Sequence, residues 1–139
     1  MTAKNLLTRV PRHFVKTVTF DGGAGSGAVG TVAIATVSGR VMILRGSVYC
    51  TTLLAGASAT IELGVAGNTA ALIAQTTATD VDATEFWQDA TPEVGVSPGI
   101  VDKNVSLDII LTVATADVDS GVLEFAFEWI PMSETGRLS

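Results

Sequence analysis

The sequence predicts an all-β protein, an antiparallel sandwich or barrel of about eight strands, and three observations carry that prediction. No segment of ten or more residues holds a convincing helical period. The last two apolar segments instead alternate with a period of two: every odd position from Val105 to Val113 is apolar, and Leu123, Phe125, Phe127 and Trp129 share one face against Glu124 and Glu128. Runs rich in Val, Ile and Thr are separated by turn signals every 8 to 15 residues. At 139 residues one domain suffices, and a chain of this size can bury a real core without staples.

The elements follow in chain order. His13 to Phe20 alternates, with Phe14, Val18 and Phe20 on one face and Thr17 and Thr19 on the other. A glycine-rich stretch, Gly22 to Gly30, leads into Thr31 to Val37, where Val32 and Ile34 are in phase. After Ser38-Gly39, the run RVMILRGSVYCTTLL puts Met42, Leu44, Val48, Cys50 and Leu54 on one parity; Gly46 within it signals a bulge or bend. Ile61, Leu63 and Val65 point inward ahead of a Gly67-Asn68 hairpin turn and AALIA. The polar segment TTATDVDATEFWQDATPEVGVSPG carries Pro92 and Pro98 and reads as loop, with Phe86 and Trp87 anchoring it to the core. The run from Asn104 to Thr115 reads as one strand, and VLEFAFEWIP as the last, stopped by Pro131.

Charge divides the chain. Residues 1–20 hold four Lys/Arg and no acid, whereas residues 21–139 hold four Lys/Arg and all fourteen acids. The chain therefore reads as a basic N-terminal arm, residues 1–12, on a single β-sandwich domain, residues 13–139. Lys4, Arg9, Arg12 and Lys16 are the candidate partner contacts. The arm is either a solvated terminus or a segment that reaches an acidic neighbour. An acidic body with net charge -6 argues against a nucleic-acid binder, which needs Lys and Arg clustered on its docking face. No run approaches the ~18 continuous apolar residues of a spanning helix, and the charged N-terminus lacks a signal-peptide core, so synthesis in a cytoplasm and no membrane partner are expected. Charged residues are only 16% of the chain, so much of its surface is expected to be hidden in a core or against other subunits. A single cysteine, Cys50, excludes an intrachain disulfide and reads as a buried thiol.

Motifs for chemistry fail on their contexts. Gly25-Ser-Gly-Ala-Val-Gly30 spells G-x-G-x-x-G, but a dinucleotide site needs a following helix and an acid about 20 residues on. TVAIATV reads as strand, and no Asp or Glu lies between Asp21 and Glu62. The glycines read as a flexible connection between two strands. A lone histidine, His13, without G-x-S-x-G gives no hydrolase triad, and one His with one Cys gives no zinc site. A Cys50–His13 thiol pair is conceivable from sequence. Asp80, Asp82, Glu85 and Asp89 cluster on a loop, but the EF-hand spacings are missing, so they read as a solvated acidic loop. Asp117 and Asp119 read as turn residues. No enzyme activity, cofactor or metal is expected.

The run ILRGSVYCTTLLAGASATIELGVAGNTAALIAQTTATDVDATEFW, with the closing SGVLEFAFEWIPMS, resembles small β-rich virion proteins of tailed bacteriophages, of the head decoration (cement) type. The resemblance covers about residues 13–133 and rests on strand rhythm, small-residue richness and the G-N-T and D-x-D turns. It implies a jelly-roll-like sandwich without catalytic residues that binds the capsid exterior after synthesis in the host cytoplasm. Its partners would be the major capsid protein or other virion proteins, and it would act as a homo-oligomer, commonly a trimer. The alternatives are a head–tail connector, a tail or fibre-base component, and a carbohydrate- or calcium-binding β-sandwich module.

Overall fold

The computed structural model describes residues 10–88 and 100–139, and among them it is all-β and antiparallel. The strands are β1 (Arg12–Thr19), β2 (Gly30–Ala35), β3 (Val37–Ser38), β4 (Val41–Ala55), β5 (Thr60–Val65), β6 (Asn68–Thr77), β7 (Phe86–Trp87), β8 (Ile100–Val105), β9 (Ile109–Ala114), β10 (Ser120–Pro131) and β11 (Arg137–Leu138). Eight of these have six or more residues. One sheet has the order β1-β10-β4-β7, with β8 also paired to β4; the second has the order β2-β9-β5-β6; β11 and β3 form a small third sheet.

Both large sheets feed one buried cluster, Val18, Ile43, Val48, Leu123, Phe125, Phe127 and Trp129 from the first and Val32, Ile34, Ile61, Leu63, Ile109 and Leu111 from the second. Each fully buried side chain of this kind contributes roughly 1.5–3 kcal/mol relative to exposure. No charged side chain is buried among the described residues, so apolar area dominates the core. The alternation read from the sequence holds in β9 and β10, where odd positions are buried.

Three elements differ from the sequence reading. The run from Asn104 to Thr115 is not one strand: β8 ends at Val105 in the first sheet, three residues turn the chain, and β9 begins at Ile109 in the second. Leu107, on the apolar parity, sits in that turn and is exposed. In β4 the inward residues before Gly46 are Val41 and Ile43, not Met42 and Leu44. The partners of Glu128 and Trp129 are Arg45 and Ile43, so Leu44 is an extra residue, and this bulge reverses the parity before Val48 and Cys50. The polar middle is also more ordered than a loop. β6 runs to Thr77, a 3-10 turn spans Ala78–Asp80, and Phe86–Trp87 pairs with Tyr49 and Val48. Trp87 is buried there, whereas Phe86 points outward and does not anchor the segment.

The glycine stretch is fastened rather than flexible. Asp21 Oδ1 accepts the Gly23 N–H at 2.8 Å and the Ser26 hydroxyl. Asp117 Oδ1 accepts the Val29 N–H at 2.8 Å, and the Val118 N–H donates to the Gly27 carbonyl at 2.8 Å. Gly27 lies at φ 139°, and a Cβ there would meet the Val118 carbonyl oxygen at 2.2 Å, so glycine is required for this close approach. Gly30 opens β2, and no helix follows it.

Candidate interaction surface

The first sheet turns one face to the core and the other to solvent, and its register fixes which side chains share the outer face. Three outward rows result. One holds His13, Glu128 and Arg45; the next Val15, Ala126 and Ser47; the third Thr17, Glu124, Tyr49 and Phe86. An open depression of about 220 Å³ lies over the first two rows, lined by His13 to Val15, Arg45 to Ser47 and Ala126 to Glu128. Small side chains at Ser47 and Ala126 leave the space.

Arg45 Nε meets Glu128 Oε2 at 2.9 Å across the rows. With Arg45 75% exposed, this pair contributes at most about 1 kcal/mol. Beside it the Tyr49 and Phe86 rings lie 5.1 Å apart between centroids, tilted by 55°. Phe86 is 58% exposed and Val15 71% exposed. This face thus presents aromatic and aliphatic groups between charged ones.

Of the residues singled out in the sequence, Lys4 and Arg9 lie outside the described residues. Arg12 opens β1, with its guanidinium carbon 5.4 Å from the Trp129 ring centroid, opposite which it sits in the ladder. Lys16 sits in mid-strand opposite Phe125, in phase with the inward Phe14 and Val18, yet is exposed because β1 is the sheet's edge. Arg12 and Lys16 therefore belong to a strand edge that the N-terminal residues lead into.

The structure separates His13 from Cys50. His13 lies on the outer face opposite Glu128; Cys50 is buried opposite Leu123, five residues further along β10, and the two are no thiol–imidazole pair. Burial pushes the Cys50 thiol up; backbone hydrogen bonds at Thr52 and Leu54 offset part of the rise, and the carboxylates of Asp82 and Glu85 add to it. Asp80, Asp82 and Glu85 are exposed between β6 and β7, and Asp89 lies outside the described residues. Among the described residues no group of three or more His, Cys, Asp or Glu side chains is arranged to hold a metal ion. No described helix is long and apolar enough to cross a membrane.

Sequence reasoning missed Tyr49 and Val15 and turned Phe86 inward as an anchor. Tyr49 alternates with Val48 and Cys50, and Phe86 adjoins Trp87, so in each case the strand period sends one of the neighbours outward. Comparison of the chain with protein-family models, with curated proteins and with solved structures gave no match.

Proposed function

We propose that this chain is a structural virion protein that binds the outer surface of a phage capsid as a decoration or cement protein and stabilises the head. The observation that carries the reading is the outer face of the first sheet, where exposed Val15 and Phe86 and half-buried Tyr49 are interleaved with Arg45, Glu124 and Glu128 in one ladder. Such a face suits a protein contact of mixed polarity. Among the described residues, strands β1 and β7 have one unpaired edge each, which adds main-chain hydrogen-bonding capacity. The strand order supports the same reading. Taking the eight longer strands, the sheets run 1-10-4-8 and 2-9-5-6, an order in keeping with the jelly-roll-like sandwich that the resemblance implies. The resemblance of the chain to phage decoration proteins supplies the partner, a capsid protein, and the homo-oligomer, a trimer. Individually weak contacts then gain strength by repetition over a symmetric shell, adding buried area that opposes internal pressure.

Mass spectrometry of purified particles tests the reading. Copies in the hundreds per particle are expected, whereas a few to a few dozen would assign the chain to the head–tail connector or tail, and absence from the particle would remove it.

One observation favours a second reading. The Tyr49–Phe86 pair, with Phe86 exposed, sits in the row of Glu124, Tyr49's ladder partner, and aromatic rings with neighbouring acceptors are what a carbohydrate module presents to a sugar. Calorimetry with glycans checks it: heat that disappears in Phe86→Ala supports a sugar site, and no heat with any glycan eliminates it.

A further inference from the structure

The two edges of the first sheet carry matching chemistry. Among the described residues β1 pairs only with β10 and β7 only with β4, so each presents unpaired backbone N–H and C=O groups. Every neighbour along β1-β10-β4-β7 is antiparallel, so β7 runs opposite to β1. A second copy brought alongside by rotation about an axis parallel to the strands therefore sets its β1 antiparallel to β7, the direction in which the sheet already pairs.

The side chains agree with this continuation. Lys16 is in phase with inward Phe14 and Val18, and Glu85 is in phase with buried Trp87, yet both are exposed because each lies at an edge. Val15 and Phe86 are in phase with the outer face and are among the most exposed apolar residues, at 71% and 58%. A register that sets Phe86 opposite Val15 of the second copy also sets Glu85 opposite Lys16 and Trp87 opposite Phe14, because paired residue numbers in an antiparallel ladder have a constant sum. One face then gains an opposite-charge pair and the other an apolar pair, both stabilising in cross-strand positions. Neither Lys16 nor Glu85 has an ion-pair partner among the described residues. Pairing β1 with β1 would instead crowd Arg12 and Lys16 of both copies together, and like charges oppose it.

We propose that β1 of one copy adds to the β7 edge of the next, a heterologous contact that closes into a ring of three or more chains. The proposal deepens the homo-oligomer within the proposed function and rests on that part of it alone; capsid binding is not needed for it to hold.

The test uses the full chain. Val15→Cys and Phe86→Cys are made separately, with the native Cys50 left in place because it is buried. Mild oxidation of the mixture, read on non-reducing gels with tryptic mapping, is expected to give Val15→Cys to Phe86→Cys cross-links as the dominant species and none with either variant alone. Lys16→Glu and Glu85→Lys, each checked for an unchanged circular dichroism spectrum, are expected to lose the oligomer in native mass spectrometry, and the double variant carrying both reversals is expected to recover it, since every contact of a ring of any size then pairs opposite charges again. A monomeric wild type, an oligomer that survives either single reversal, a double variant that stays monomeric, or cross-links between two Val15→Cys chains would overturn the proposal. Failure of the chain to bind capsids, with these cross-links intact, would remove the decoration reading and leave the ring.

Discussion

Asp21 does at the scale of one residue what the glycines around it cannot do for themselves. Its carboxylate gathers the Gly23 N–H and the Ser26 hydroxyl, and these hydrogen bonds, the Ser26 bond first, hold its pKa below the usual aspartate value. A carboxyl whose folded pKa is depressed adds stability above its ordinary pKa and loses it as pH falls through the lowered value. The contribution is local because Asp21 is exposed. NMR titration is expected to place the Asp21 carboxyl below the ordinary aspartate range, with faster exchange of the Gly23 amide once it is protonated. An ordinary or raised value would show that the loop is not held by this side chain. Gly25 to Gly30 thus forms a fastened strand connection, with Asp117 holding its far end through the Val29 N–H.

At the scale of elements, β4 depends on an absent side chain. Gly46 lies opposite Phe127, and a Cβ there would sit 2.7 Å from Phe127 Cδ1 and 3.0 Å from Ile100 Cδ1. Phe127 cannot swing aside, because it stacks on Phe14 at 5.9 Å and meets Phe125 edge-on at 6.4 Å. Gly46→Ala is therefore expected to destabilise by about 1–3 kcal/mol through overpacking, measured by urea unfolding, while an unchanged midpoint would contradict the packing described. The strands that were legible in the sequence are those whose alternation runs unbroken to a turn residue, such as Leu123 to Trp129 ending at Pro131. The parity of Val41 to Leu44 was not legible, since one bulged residue reverses it without altering composition. The break between β8 and β9 was hidden for a similar reason. Ser106, Leu107 and Asp108 contain no glycine or proline, and Leu107 keeps the alternation going through a turn. β7 escaped notice because two residues show no period at all. The same limit applies to the outer face, whose rows exist only once three strands from distant parts of the chain are in register.

For the whole molecule, the basic residues Arg12 and Lys16 lie along the edge strand β1. Arg12 covers the Trp129 ring, a cation–π contact typically near 0.5–1 kcal/mol at an exposed site, and pairs with Trp129 in the ladder. Deleting residues 1–9 is expected to weaken assembly while leaving the melting temperature nearly unchanged; extending the deletion through Arg12 is expected to lower it as well. Undiminished assembly after the shorter deletion would show that Lys4 and Arg9 make no partner contact. The sandwich itself has one apolar core fed by both sheets, so most of its stability is held inside. That division of labour, with stability held inside and contact chemistry displayed on the first sheet, is what the decoration reading requires. An electron cryo-microscopy map of phage particles assembled in the presence of this chain tests it most directly. The account predicts density for the sandwich repeated over the capsid exterior, with the β1–β10–β4 sheet at a subunit contact. Density confined to the tail, or none on the particle, would contradict it.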